Sequence, residues 1–274
     1  MTADGADWRR ARAQVPGAQA PTGVEVTPLT GGTSNSTFRV VTRDGAFVVR
    51  LHDPLGTDLG VDRRREALLQ SVAASAGLAG RVIAADPAGR YLVSEFLDGA
   101  PWQPGDLEDR TRLRQLGERF GQLHSLAAPV VTPLDLEALL ERHAAHIAAL
   151  EPAAGRLFAP QVVSAREILK RQADAGRAPC ILHGDPTHSN FIGTPPRFID
   201  WEYATVGDPL ADLACLLAYY PQILPHARIL LDSCGLAARV PLSALQALVS
   251  VYRLASDLWW RRLELARRHP PPAH

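Results

Sequence analysis

Apolar positions change their spacing several times along the chain. Between Val24 and Leu51 they alternate with polar ones, which predicts strands over Val24–Val26, Ser36–Val41 and Ala46–Leu51, the last two joined by a tight turn at Arg43-Asp44-Gly45. A helix starts at Asp62, a good N-cap, carries Leu68, Leu69 and Val72 as its apolar stripe, and stops at Gly77. Val82–Ala85 and Tyr91–Phe96 read as a hairpin around Asp86–Arg90. From Asp106 the period becomes helical. Leu107–Leu126 places Leu113, Leu116, Phe120 and Leu123 on one face, and its Gly117 and Gly121 predict close packing against a neighbour. Helices follow over Leu134–Leu150 and Leu157–Ala173. Cys180–Leu182 and Phe198–Ile199 are too short for helices and read as strands; Leu210–Tyr220, Ile223–Ser233 and Pro241–Arg268 are helical again. A small antiparallel sheet followed by a mostly helical part is an α+β arrangement.

The two short strands deliver the chemistry. Cys180–Leu182 leads into His183-Gly184-Asp185, Asn190 follows, and Phe198-Ile199 delivers Asp200, Trp201 and Glu202. Singly, Asp and Asn at strand ends are ordinary turn formers. Together they supply what phosphoryl transfer needs: a carboxylate to receive a hydroxyl proton, and oxygen ligands for a cation held against phosphates.

His183-Gly184-Asp185-x-x-x-x-Asn190 followed by Asp200 has the spacing of the protein-kinase pattern H-R-D-x-x-x-x-N and D-F-G, with Gly184 in place of Arg and Trp201-Glu202 in place of Phe-Gly. With I-D-W-E-Y-A at Ile199–Ala204 and G-D-P-x-x-D-L-A at Gly207–Ala214, the chain resembles the aminoglycoside phosphotransferase and choline kinase superfamily, over about residues 28 to 266. The resemblance implies a two-lobed protein-kinase-like fold, with a small antiparallel-sheet N-lobe over 21–97 and a helical C-lobe over 98–268 holding the catalytic and metal loops. From their own residues, 1–20, polar and then Gly- and Pro-containing, read as a flexible N-terminal segment with a frayed short helix around Ala6–Arg12, and 269–274 as a disordered tail. The resemblance also implies ATP and Mg²⁺ as cofactors, Asp185 as the catalytic base, and Asn190 and Asp200 as metal ligands. Gly31, Gly32, Ser34 and Asn35 resemble the nucleotide loop of choline kinases. Arg50 stands where such kinases hold the nucleotide phosphates, with Glu66 as its expected partner. Ser94–Gly99 is the expected hinge, where backbone groups near Glu95 and Leu97 would meet adenine.

For the acceptor, Asp257, Trp259 and Trp260 on the last helix resemble the Trp-bearing C-terminal helix of choline kinases, and aromatic rings beside an acid suit an organic cation. Glu202 is a further candidate for the metal shell or for bracing its loop, and Tyr203, Tyr219 and Asp208 are weaker candidates for the acceptor wall. Asp208 and Asp212 otherwise read as a helix N-cap and a first-turn acid. The expected activity is transfer of the ATP γ-phosphate to a small cationic alcohol of the choline, ethanolamine or thiamine type. An aminoglycoside phosphotransferase is the alternative. A non-catalytic nucleotide-binding pseudokinase is the other, and its mark would be loss of Asp185, Asn190 or Asp200.

Composition narrows this further. Equal numbers of basic and acidic residues, 29 each, give no pull towards nucleic acid or a membrane surface. Lys170 is the only lysine and lies in a helical stretch, so no lysine is available for the phosphate cation that the resemblance places on the third strand, where Arg50 sits. The three cysteines form no C-x-x-C pair and fit a reducing compartment. No segment reads as a secretory signal or a membrane span, so the expectation is a cytoplasmic protein; oligomeric state is left open. His143 and His146 have i,i+3 spacing without a third ligand and read as surface or core residues.

Overall fold

Alternation along each strand gives the sheet two unlike faces. In the computed structural model, which describes residues 5–20, 22–29, 35–53, 56 and 59–268, strands β1 (Glu25–Leu29), β2 (Ser36–Thr42), β3 (Gly45–Leu51), β4 (Val82–Ala85) and β5 (Tyr91–Glu95) form an antiparallel sheet in the order β1-β2-β3-β5-β4. Phe47, Val49 and Leu51 of β3 share a buried cluster with Val40, Tyr91 and Val93, while Val48 and Arg50 point to the other face.

The first face is covered by the N-terminus. Helix α1 (Gly5–Ala13) and the turns after it bury Ala11, Val15 and Ala18 in that cluster, Trp8 packs on Phe38 with ring centroids 4.8 Å apart, and Thr42 Oγ1 donates to the Pro16 carbonyl at 2.8 Å. The expected flexible segment over 1–20 is therefore corrected for residues 5–20. An apolar sheet face needs a cover, and this helix supplies it.

Helix α2 (Arg63–Ser75) is capped by Asp62, whose side chain accepts from the backbone N–H groups of Arg64 and Arg65. Its buried face is Glu66, Leu69, Gln70 and Ala73; Leu68, expected on the apolar stripe, is exposed. The inward face thus carries polar groups that a hydrophobic stripe does not reveal.

Two compact units result: Met1–Trp102 with Ser189–Ala204, and Gln103–His188 with Thr205–His274. This differs from the expected boundaries, because the hairpin of β7 (Phe191–Ile192) and β8 (Arg197–Phe198) belongs to the first unit. Phe198 N–H donates to the Leu78 carbonyl at 2.7 Å, Trp102 N–H to that of Phe191 at 2.9 Å, and Arg65 Nε to that of Ala204 at 2.8 Å.

The second unit is helical around one small sheet. It contains α3 (Arg110–His124), α4 (Leu136–Leu150), α5 (Pro152–Asp174), β6 (Cys180–Leu182) paired with β9 (Thr205–Gly207), α6 (Leu210–Tyr219), α7 (Ala227–Ser233) and α8 (Leu242–Arg268). Leu113, Leu116, Phe120 and Leu123 of α3 are all fully buried. A Cβ at Gly117 would meet Ser233 Oγ at 1.9 Å, and one at Gly121 the Cys234 backbone at 3.2 Å, so these glycines do permit close packing of α3 on the α7 end. Among the described residues no helix is long and apolar enough to cross a membrane. Cys180, Cys215 and Cys234 are free thiols.

His143 and His146 occupy unlike settings on α4: the first is buried, the second exposed. Burial, reinforced by Arg262, Arg142 and His146, pushes the His143 pKa down to about 4, and its Nε2 has no hydrogen-bond partner among the described residues. The unfolded chain binds this proton near pH 6.5 and the folded one does not, so stability falls as pH drops from about 6.5 towards 4. Urea unfolding should show His143→Leu losing about 3 kcal/mol less than the parent across that window. Parallel stability–pH curves would refute this.

Candidate functional site

The open face of the sheet walls a cavity of about 370 Å³ in the first unit. Val48, Arg50, Leu92 and Glu95 reach it from the strands, Leu97 from the segment after β5, and Asn190, Asp200 and Glu202 from the segment around the β7–β8 hairpin. Asn35 also lines it, whereas Gly31, Gly32 and Ser34 lie outside the described residues.

A buried charge network holds one wall. Arg50 Nη1 donates to Glu66 Oε1 at 3.0 Å and to Asp200 Oδ1 at 2.8 Å. The expected Arg50–Glu66 pair is formed, and Glu66 has no side-chain exposure. Its other oxygen takes Arg63 Nη1 at 3.0 Å, and the same nitrogen reaches Glu202 Oε2 at 3.1 Å. Asn35 closes the circuit, donating through Nδ2 to Glu202 Oε2 at 2.9 Å and accepting from Arg63 Nη2 at 3.3 Å. Burial opposes the Arg50 charge, but Asp200, Glu66 and Glu202 together outweigh it and raise the guanidinium pKa. Burial pushes Glu66 up against the pull of both arginines. His52 stands 3.9 Å from Glu66 Oε2, and burial together with Arg63 lowers its pKa to about 3, so it is neutral. Three carboxylates thus share two guanidiniums, leaving the wall negative. Arg63 was missed in the sequence, although it lies one turn before Glu66 on the same helix.

Asp200 takes a positive φ of 63°, the only non-glycine among the described residues to do so. Such a backbone costs about 1–3 kcal/mol and persists where its surroundings enforce it. The Asn190 carbonyl accepts Ile199 N–H at 3.0 Å, fixing the two expected metal-binding residues near one another. Among the described residues no group of three or more His, Cys, Asp or Glu side chains could hold a metal by itself. The donor set here, an Asn and a carboxylate on a negative wall, fits Mg²⁺, which uses one or two carboxylates and leaves its other positions to water and phosphate oxygens.

Glu95 and Leu97 mark the far end of the cavity. The Glu95 side chain is turned to Arg81 (Nε at 2.9 Å), so only its backbone is available to a ligand there.

The second unit carries Asp185. Its loop is braced by Asp212, which is fully buried: Oδ2 accepts His183 N–H at 3.1 Å and Oδ1 accepts Gly184 N–H at 2.9 Å. His124 Nε2 lies 3.0 Å from Asp212 Oδ2. Burial alone would raise the Asp212 pKa, but His124 and the Gly184 N–H hold it below the ordinary carboxylate value. Asp212 is more than the first-turn acid expected. Asp208 does accept Leu210 N–H at 3.0 Å, as a cap would, and also pairs with Arg177.

Trp259 and Trp260 stack edge to face, 4.8 Å between centroids, with Trp260 half exposed. Asp257 and Trp260 line an open groove with Phe158, Arg261 and Leu263. The α8 residue packed against the strand leading to Asp185 is instead Tyr252, beside Cys180 and Leu182. Trp260 lies eight residues further, about 12 Å along the helix axis. The expected acceptor wall of Asp257, Trp259 and Trp260 is thus displaced from that strand, because a helix face read from sequence carries no depth.

The model of the phosphotransferase enzyme family matches residues 25–234. The chain belongs to that family. The phosphotransferase is similar over 97% of its length, at 25% identity and a TM-score of 0.71, to 89% of a choline/ethanolamine kinase family protein from Mesorhizobium loti. It shares 19% identity and a TM-score of 0.74 with the choline kinase LicA from Streptococcus pneumoniae, covering 92% of this chain and 89% of that one; LicA is also solved with AMP. The ternary complex of APH(2")-IIa with streptomycin and ATP aligns at 15% identity and a TM-score of 0.61, over 99% of this chain and 93% of that one. None of the curated proteins searched matches the sequence. The phosphotransferase therefore has the α+β protein-kinase-like fold, as expected.

Arg50→Ala should weaken ATP binding by calorimetry while the protein stays folded, since Arg63 still holds Glu66. Lys170→Ala, on an exposed part of α5, should change nothing. Arg63→Ala should act mainly on stability, costing about 3 kcal/mol in urea unfolding, because two buried carboxylates lose a charged partner. Damage from Lys170→Ala would contradict this placement.

Proposed function

We propose that this phosphotransferase moves the γ-phosphate of ATP to the hydroxyl of a small cationic alcohol of the choline, ethanolamine or thiamine type. The observation that carries the reading is the Arg50–Glu66–Asp200 network on the cavity wall. A wall with more carboxylates than guanidiniums repels phosphate unless a cation joins them. Mg²⁺ held by Asn190 and Asp200 would supply that positive charge against the phosphates. Arg50 then binds the nucleotide phosphates, as does the loop over Gly31, Gly32, Ser34 and Asn35. Glu66 orients Arg50, and Glu202 braces Asn35. Backbone groups near Glu95 and Leu97 hold adenine, with Val48 and Leu92 of the sheet beside it. Asp185 receives the acceptor's proton.

The acceptor class is supported by the choline/ethanolamine kinase family protein, which is similar over nearly the whole chain. The structures named for aminoglycoside phosphotransferases align with lower TM-scores.

Two experiments test this. Asp200→Ala should abolish Mg-ATP turnover in a folded protein, and Asp185→Asn should lower kcat by about 10²–10⁴-fold with little change in nucleotide affinity. Unchanged turnover in folded Asp200→Ala would end the kinase reading. Calorimetry with choline, thiamine, a neutral carbon analogue of choline and kanamycin then decides the acceptor. Preference for the neutral analogue would end the cation argument, and tight binding of kanamycin alone would move the enzyme to the aminoglycoside branch.

A further inference from the structure

The Asp185 loop is pinned at both ends by α6 and the residue that caps it. At the start, Asp212 takes His183 and Gly184 N–H, and Cys215 Sγ lies 3.9 Å from the Gly184 carbonyl. At the finish stands Tyr220, the C-cap of α6, which is 9% exposed. Its hydroxyl accepts the backbone N–H of His188 at 2.9 Å and lies 2.6 Å from Nδ1 of the same residue. The second contact runs from the hydroxyl to Nδ1 or the reverse, according to the imidazole tautomer. The rings meet edge to face at 5.8 Å. One phenol oxygen thus holds His188 by main chain and side chain at once.

Between these pins the loop has little freedom. Thr187 N–H donates to the Asp185 carbonyl at 2.8 Å, and Pro186 is buried with its φ set by the ring. A shift at His188 therefore passes to Asp185. Burial raises the Tyr220 pKa, the His188 N–H opposes this, and the Asp185 carboxylate adds to the rise.

We propose that Tyr220 is a positioning residue for phosphoryl transfer: by clamping His188 it fixes the loop that aims Asp185. The inference rests on the reading of Asp185 as the group that receives the acceptor proton. Phosphoryl transfer depends on in-line placement, and a displacement of about 1 Å costs roughly 10²-fold in rate. Losing the clamp should therefore appear in kcat and leave ATP binding alone.

The test is a double-mutant cycle on the full chain, with ATP saturating and an alcohol on which the parent turns over. Tyr220→Phe and His188→Ala should each lower kcat about 10- to 100-fold with the ATP KM unchanged. The double variant should be no worse than the worse single one, since both remove one contact. His188→Asn, whose side-chain amide can stand in for Nδ1 as acceptor or donor, should recover most of the rate. A folded Tyr220→Phe with the parent's kcat, multiplying losses in the double variant, or a raised ATP KM would each overturn the proposal. Should Tyr220→Phe fail to fold, equal rates for His188→Ala and His188→Asn would overturn it. Asp185→Asn run alongside separates the two readings. If it loses rate while Tyr220→Phe does not, only the clamp falls; if it keeps the parent's rate, both fall.

Discussion

A carboxylate with no exposure is the constraint on which the first unit depends. Removing Glu66 from water costs several kcal/mol, and only paired, hydrogen-bonded charge offsets that. Both oxygens are therefore occupied, one by Arg50 from the sheet and one by Arg63 from its own helix. Each arginine also reaches a carboxylate on the segment that follows the β7–β8 hairpin, Asp200 or Glu202. Sheet, helix and hairpin segment are thereby set in one geometry by a single buried group. The expected partner on β3 and a second arginine on its own helix both bind Glu66, because a carboxylate has two oxygens.

The same arrangement explains why strain is tolerated at Asp200. A glycine would adopt that backbone at no steric cost but could neither pair with Arg50 nor offer an oxygen to a cation. The hydrogen bond between Ile199 and Asn190 and the salt bridge to Arg50 hold the residue from both sides. The cost of the conformation is carried by the network and not by the loop itself.

Much of this was legible in the sequence where chemistry and periodicity coincide. Arg50 could be placed on the third strand by its order along the chain and by the family resemblance, since the chain's one lysine lies elsewhere. The α3 face from Leu113 to Leu123 and the close approach at Gly117 and Gly121 followed from a 3.6-residue period. What failed has a common cause. Periodicity says which side of an element is apolar, not what covers it or how deep it lies. The N-terminal residues looked polar, yet three small apolar side chains suffice to seal the back of the sheet. Leu68 looked buried, but the inward face of α2 was taken by Glu66 and Gln70. Trp259 and Trp260 looked like a pocket wall, yet their place along α8 carries them away from the Asp185 strand. Tyr220 gave no signal, since its partner is largely a backbone N–H that no side-chain pattern records.

The covering of the sheet by α1 bears on how the molecule's limits should be drawn. The stretch recognised as the family spans residues 25–234, while Ala11, Val15 and Ala18 lie before it and the buried face of α8, with Leu245, Leu248 and Leu258, lies after it. A chain trimmed to the recognised stretch would keep every residue of the charge network and the Asp185 loop. It would also bare the back of the sheet and strip the helix against which α4, α5 and α6 pack. The part by which this protein is recognised is therefore smaller than the part that packs together as its core.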